Sequence, residues 1–529
     1  MWKPPSYWSK VSPQQPASYI IYKDDLGYVC AKNGETGKID YRDTDAATVI
    51  QSAIDALTEG GKILIKKGIY QLTDRLEPPN NSVIVGEGWG TVLEYTQDLL
   101  SKHQIGYPVG AFVLINKENV VIANLQIDGK ADTLTYNQEN CGAIQLYPAS
   151  NCLISQLYIH HIPRDGIVLS GVGRSKNWVL FNRIEHVGST GIFIAGGADE
   201  KVIGNVVIEA GYNNLGPDYD GLFTQASGTE NVTNLVVAYN TFRNCHRHGM
   251  RVRSTKHSIF AFNVCEGNTS YGADFEGTGT ESGALEGIIE IGGVYRNNSN
   301  HGITIAWEVR DCYFAPDTVS DNGDYGIYVA VNSEAVYQPH NLIIAPKVVS
   351  NNGKAGIRLD GIDGVGYVSD IYIYPGVIKD NGSTGTHPYG IILNGARHII
   401  IIGGIIRNEV TSYQAYGIEE RSPSDYNLIL FSDCRNNNLG AIHLIATNSK
   451  AITCPGYVTE NSGTATIPAG STSVTVNHGL ASKPGKVLVT PLSDPGAYWY
   501  VVNITDTSFD IVLSAAPTSD VTFAWQAEV

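Results

Sequence analysis

The sequence predicts an all-β chain: a right-handed parallel β-helix (solenoid) with an N-terminal capping helix and a small C-terminal antiparallel β-sandwich. Three observations carry this. A short motif recurs, in most copies an aromatic, His or Asp, then Gly, then a branched aliphatic, as in Asp165-Gly166-Ile167, Asp220-Gly221-Leu222, His248-Gly249-Met250, Tyr271-Gly272-Ala273, His301-Gly302-Ile303, Tyr325-Gly326-Ile327 and Tyr416-Gly417-Ile418. Successive motif glycines lie 23 to 34 residues apart, the period of a solenoid coil. The runs between them are short and β-branched, without helical periodicity.

Residues 1–44 form a small N-terminal module, with tyrosine-rich strands around Tyr19–Tyr22 and Tyr28–Ala31. A helix over 45–58 follows. Asp45 is a good N-cap, Val49, Ile50, Ala53, Ile54 and Leu57 recur at helical spacing, and Gly60-Gly61 ends the element. Its task is to plug the open end of the solenoid. The β-helix spans 45–455, beginning with short strands such as Ile63-Leu64-Ile65 and Val83-Ile84-Val85. Asn182, Asn240 and Asn263 each precede a coil glycine by nine residues. They predict a stacked Asn ladder, with Asn supplying the left-handed corner conformation. Extra length falls at Gly211–Tyr219, Gly277–Glu286 and Val331–His340, where loops can wall a groove. Alternating strands over 460–529 predict the sandwich. Its Tyr498, Trp499, Tyr500 and Trp525 read as core or oligomer-contact residues, with sugar-ring binding as the alternative.

Composition excludes some functions. The chain carries 36 Lys and Arg against 52 Asp and Glu, a net charge of −16. That disfavours nucleic acid and anionic membrane as partners. No apolar run is long enough to span a membrane. The eight cysteines form no C-x-x-C pair, so they read as buried core thiols rather than zinc ligands.

In a strand after each glycine, residues one and three point inward, and residues two and four point outward. Most outward pairs are bland, such as Phe223 and Gln225 or Tyr328 and Ala330. Two adjacent coils differ, presenting Arg251 and Arg253, then Asp274 and Glu276. The residue before each glycine adds a column of Asp220, His248, Tyr271, His301 and Tyr325. The candidate catalytic set is therefore Asp220, Arg247, His248, Arg251, Tyr271, Asp274, Glu276 and His301. Tyr219, Phe223, Gln225, Arg253, Trp307 and Tyr328 are the expected substrate contacts. A plain ladder of Arg251 to Asp274 and Arg253 to Glu276 is the structural alternative. The mixture of His, Tyr, Arg and carboxylate favours acid–base chemistry.

The segment Arg247-His248-Gly249-Met250-Arg251-Val252-Arg253-Ser254-Thr255-Lys256-His257 resembles a stretch of the mannuronan C-5 epimerases. Leu125-Gln126-Ile127-Asp128-Gly129 and Tyr416-Gly417-Ile418-Glu419-Glu420-Arg421 resemble two others. The likeness covers about residues 45–445 at the level of the pectate-lyase-like β-helix. It implies an acidic, alginate-like polysaccharide as partner, and abstraction of a C5 proton ending in β-elimination or epimerisation. Arg247 and His248 would take the family's functional Arg-His position. One departure stands out: Thr190-Gly191-Ile192-Phe193-Ile194-Ala195 lacks the Tyr, Asp and His the family carries there. Tyr271-Gly272-Ala273-Asp274 keeps the Tyr-Gly-x-Asp spacing on a different coil.

Three mechanisms follow, the first preferred and the other two its alternatives. In a lyase or epimerase, Arg247 or Arg251 neutralises the uronate, His248 or His301 is the base and Tyr271 the acid. In a glycoside hydrolase like the phage tailspike depolymerases, Asp220, Asp274 and Glu276 supply two carboxylates. In a non-catalytic fibre protein the same surface binds sugar without turnover. Asp321, Asn322 and Asp324 offer the clustered oxygens that calcium wants, but Asp321-Asn322-Gly323-Asp324 is also an ordinary turn, the reading preferred here. No other cofactor is expected. Spikes of this type suggest a homotrimer and an extracellular or virion-surface location. The start, Met1-Trp2-Lys3-Pro4-Pro5, has no apolar signal core.

Overall fold

The structure, a computed structural model, describes residues 17–102, 107–136, 141–212, 218–278, 283–331, 333, 338–411 and 413–529. The chain winds in parallel coils through three long sheets. One, here termed the front face, has 13 strands running from Phe112–Glu118 to Gly440–His443. A second 13-stranded sheet runs from Gly68–Leu72 to Ile405–Arg407. A 22-stranded sheet closes the third side.

The recurrent motif sets the register. Ile192, Leu222, Met250, Ala273, Ile303 and Ile327 are successive partners along the front face, and all six are fully buried. They form one wall of the apolar core. The glycine just before each is required by space. A Cβ on Gly221 would lie 2.5 Å from the carbonyl oxygen of Gly249, and one on Gly249 would lie 2.6 Å from that of Gly272. From Gly166 to Gly417 each coil carries a glycine at this position, which is why the motif is visible in the sequence, whereas the coils at the two ends carry Ala111, Ala143 and Ala441 there.

The Asn ladder exists, and a second one runs beside it. Asn182, Asn205, Asn240 and Asn263 are linked by side-chain amide bonds of 2.9–3.0 Å. Asn268, Asn298, Asn322, Asn352 and Asn381 are linked the same way at 2.9 Å. The conformational role differs from the expectation. The left-handed residues are those just before the ladder, among them Phe181, Tyr239 and Phe262 at φ 56°, 57° and 56°. The ladder Asn serves as a hydrogen-bonding bracket between coils.

The helix spans Ala46–Asp55, capped by Asp45, whose carboxylate accepts from the amides of Ala47 and Thr48. It stops at Ala56, short of the expected end, because Gly61 already begins the strand paired with Ser82. Val49, Ile50, Ala53 and Ile54 are buried in the solenoid core. In the N-terminal module, Tyr19–Lys23 pairs in parallel with Gly61–Ile65, so the described part shares the solenoid sheet. The C-terminal strands form two three-stranded antiparallel sheets around Phe509, Ile511, Phe523 and Trp525. Trp525 belongs to that core, whereas Tyr498 is 85% exposed. All eight cysteines are buried and free.

One core carboxyl sets a pH response. Glu290 lies in the interior with Phe260 and Phe314 as strand partners. Its Oε1 accepts from the Tyr295 hydroxyl at 3.0 Å and the Gly293 amide at 3.1 Å. Burial pushes it up to about 8, against an ordinary value of 4.5. Between those values the folded chain keeps a proton that the unfolded chain has released. Stability contributed by this group therefore falls as pH rises from 4.5 to 8, by about 1.4 kcal/mol per unit. Glu290→Gln should remove that slope, read as a flatter pH dependence of the urea midpoint. An unchanged slope would contradict the assignment.

Candidate active site on the front face

The expected register is present. Phe223, Arg251, Asp274, Thr304 and Tyr328 are successive partners on the front face. Glu276 stands two positions beyond Asp274 on the same outward side. Arg251 and Asp274 thus share an outer wall, but the side chains do not pair as a simple ladder. Arg251 Nε donates to Glu276 Oε1 at 2.8 Å, and its Nη1 to Asp218 Oδ1 at 2.9 Å. Arg253 Nε also donates to Glu276 Oε1, at 2.6 Å. Arg247 Nη1 reaches Asp218 Oδ1 at 3.2 Å. Each of the three arginines thus faces a carboxylate of the chain itself. Long side chains choose partners by reach, so adjacency of backbones did not settle these pairs.

The carboxyl groups have unlike surroundings. Asp274 is 4% exposed. Burial, with Glu276 next to it, holds its carboxyl well above the usual range, against the pull of Arg251. Its nearest imidazole atom is His248 Nε2, 3.8 Å from Oδ2. Asp220 is fully buried, and its Oδ1 accepts from the His248 amide at 3.1 Å. Its Oδ2 is a buried atom with no hydrogen-bond partner. Burial lifts Asp220 to about 7, opposed by Arg247 and Arg251. Both bonds described above fall on Glu276 Oε1, so Oε2 keeps acceptor capacity.

The imidazoles are neutral. Burial and the three arginines push His248 down to about 2. Its Nδ1 accepts from the Tyr271 amide at 3.2 Å, which places the ring proton on Nε2, toward Asp274. His301 is lowered to about 4 by burial, despite Asp324 nearby. Its Nδ1 faces the Tyr325 amide at 3.4 Å. Tyr271 is stacked between the two rings at centroid distances of 4.7 and 4.9 Å. Burial raises its hydroxyl, and Asp274 and Glu276 add to the effect.

The expected substrate contacts divide. Gln225 and Arg253 line a cleft of about 250 Å³ with Thr229, Asn231, Ser254 and Thr278. Tyr219 is half-buried, packed over Gly211, where a Cβ would come within 2.4 Å of the tyrosine Cβ. Phe223 is not available as a contact. It is only 2% exposed, with Phe193 at 5.5 Å on one side and the Arg251 guanidinium at 5.2 Å on the other. Trp307 is half-buried at a left-handed corner, φ 65°, beyond the strand Ile303–Ala306. Tyr328 donates its hydroxyl to Asp360 Oδ2 at 2.8 Å. Within the expected groove walls, residues 213–217, 279–282, 332 and 334–337 lie outside the described residues.

Calcium does not fit where it was expected. Asn322 is a rung of the Asn ladder at both ends. Asp321 is an exposed corner residue at φ 56°, and Asp324 pairs with Lys354 at 2.8 Å. The three oxygens serve three separate tasks.

Sequence reasoning missed a second polar cluster on the same wall. Arg358 Nη2 donates to Asp360 Oδ1 at 2.9 Å, and Nη1 reaches Tyr325 Oη at 2.5 Å and lies 3.0 Å from His387 Nδ1. Burial works to raise Asp360, but Arg358, Asn394 and Tyr328 bring its carboxyl below the usual range. Arg358 and Asp360 follow Gly356 by two and four residues. The outward-facing rule, carried one coil further, finds them.

Comparison with known proteins bears on the fold. The family model described as right handed beta helix region matches residues 110–286. A tailspike protein double mutant of E. coli bacteriophage HK620 superposes with a TM-score of 0.53 and 12% identity, covering 98% of each chain. Another HK620 tailspike mutant, in complex with pentasaccharide, gives 0.51 and 12%, again over 98% of each chain. The mannuronan C-5 epimerase A-module of Azotobacter vinelandii gives 0.42 and 16%, over 77% of this chain and 95% of the module. No curated protein matches the sequence. By fold, the chain is a right-handed parallel β-helix protein.

Proposed function

We propose that the front face hydrolyses glycosidic bonds in a polysaccharide. Asp274 donates the proton to the leaving oxygen, and Glu276 Oε2 activates the attacking water. The observation that supports this is one pair of carboxyl groups with opposed surroundings. Asp274 is raised by burial, while two guanidiniums face Glu276. One carboxyl raised by burial beside another that is bonded to guanidiniums is a basis for dividing acid and base roles. Their attachment points are two strand positions apart, ~6.6 Å along the strand. His248, hydrogen-bearing at Nε2, positions Asp274, and Asp220 positions His248 through its amide. The HK620 tailspike, which shares the fold over nearly the whole chain, binds a pentasaccharide, and a sugar polymer is the substrate class adopted here.

C5-proton abstraction is the second reading, favoured by the stack of His248, Tyr271 and His301. It needs a guanidinium for the substrate carboxylate, and Arg247, Arg251 and Arg253 each already face Asp218 or Glu276. Incubation of the full chain with a panel of neutral and uronate-containing bacterial polysaccharides separates the readings. Release of reducing ends without an unsaturated product is expected. An unsaturated product, or sugar binding by calorimetry without turnover on every polymer, would overturn the proposal.

A further inference from the structure

Away from the front face, three side chains converge on the neighbouring sheet. Asp128 and His160 are register partners on adjacent coils, so their outward side chains stand side by side. His161 follows at φ 49°, a left-handed corner that turns its ring back toward the same spot. His160 Nδ1 lies 2.7 Å from His161 Nδ1 and 3.7 Å from Asp128 Oδ1. One ligand atom from each of the three residues falls within 4.8 Å of the others.

The far sides of both rings are occupied. His160 Nε2 lies 2.8 Å from the Gln126 side-chain amide, and His161 Nε2 lies 3.4 Å from Asp132 Oδ2. The Asp132 carboxylate 3.4 Å from His161 Nε2 favours a proton on that nitrogen. Gln126 Nε2, 2.8 Å from His160 Nε2, donates to it; with the amide turned over, its oxygen accepts from Nε2–H and leaves a lone pair on His160 Nδ1. In that turned state both Nδ1 lone pairs point into one gap, which a cation fills in place of a bridging proton. Ligand histidines held from behind by a carboxylate or amide oxygen are the normal second support of a metal site. His186, stacked on His161 at 5.2 Å, is engaged with Glu209 at 2.6 Å and stays outside the set.

We propose that Asp128, His160 and His161 bind one divalent transition-metal ion, with zinc the best match. Two imidazoles and one carboxylate suit zinc, cobalt or nickel and not the all-oxygen preference of calcium or magnesium. Nitrogens bound at about 2.1 Å stand ~3.0–3.4 Å apart, so the 2.7 Å pair opens by a few tenths of an ångström on binding. The side chains of His161 and Asp128 are 35% and 18% exposed, which leaves a path for the ion and room for water as a further ligand. The ion would clip adjacent coils together.

The test is zinc titration of the EDTA-treated full chain by calorimetry, with cobalt absorption as a second readout. One zinc per chain is expected, with affinity lowered about 100-fold in His161→Asn and in Asp128→Asn. Asn tolerates the left-handed backbone at position 161, and far-ultraviolet circular dichroism checks that each variant is folded. His186→Gln should bind zinc as the native chain does. No uptake of zinc or cobalt would mean that a proton bridges the two rings, and would overturn the proposal. So would uptake undiminished in His161→Asn.

Discussion

Asp274→Asn is expected to lower the rate of glycan cleavage by about 10³-fold with little change in KM. General acid catalysis contributes about 10²–10⁴-fold, and Asn has the shape of Asp but no proton to give. Burial and the neighbouring Glu276 penalise the charged form of the native carboxyl. Replacing it by a neutral amide therefore relieves that penalty, and the thermal midpoint should not fall. This separates a chemical role from a structural one. Reducing-end release within a few-fold of the native rate, with the fold intact, would remove Asp274 from the mechanism. The stack of His248 on Tyr271 and the ion pairs of Glu276 leave the site otherwise assembled in this variant.

Arg174→Ala should cost about 3–5 kcal/mol of stability, the usual result of orphaning a buried ion. Arg174 and Glu200 have no exposed side-chain surface, and Nη1 meets Oε1 at 2.7 Å. Arg174 Nη2 also donates to the Gly196 carbonyl at 2.5 Å, while Glu200 Oε2 accepts from the Asn177 amide at 2.8 Å. The pair fastens the corner between the front strand Ile192–Ala195 and the next strand, Lys201–Ile203. Burial pushes Glu200 up to about 7 even with the guanidinium beside it. Without Arg174 the group must take a proton or remain charged in a closed corner. The double variant Arg174→Met with Glu200→Met should recover most of the loss, because no uncompensated ion remains. Urea unfolding midpoints measure both. A single variant as stable as the native chain would show that the pair contributes nothing net.

The fold was legible because its constraint is steric and repeats. Through the middle coils a glycine stands where one coil closes on the carbonyl of the next, as at Gly221 and Gly249, so the register is written in the sequence. The outward position of Arg251 and Asp274 followed from the same rule. The pairing of Arg251 was not legible. Its guanidinium reaches Asp218, outside the strands, and Glu276, a diagonal neighbour. Spacing along a strand does not encode such reach. Phe223 was placed on the correct face but is covered by Phe193 and Arg251, because outward does not mean exposed. Arg174 and Glu200 lie in corners between strands, where alternation carries no information. His160 and His161 were equally silent, since only a left-handed residue brings two consecutive rings to one point.

Cleavage in heavy-oxygen water, followed by mass spectrometry and NMR of the first products, tests the central claim most directly. Hydrolysis by Asp274 and Glu276 predicts one solvent oxygen at each new reducing end, with the anomeric configuration inverted. Products one water lighter, unlabelled and ending in an unsaturated sugar would contradict it.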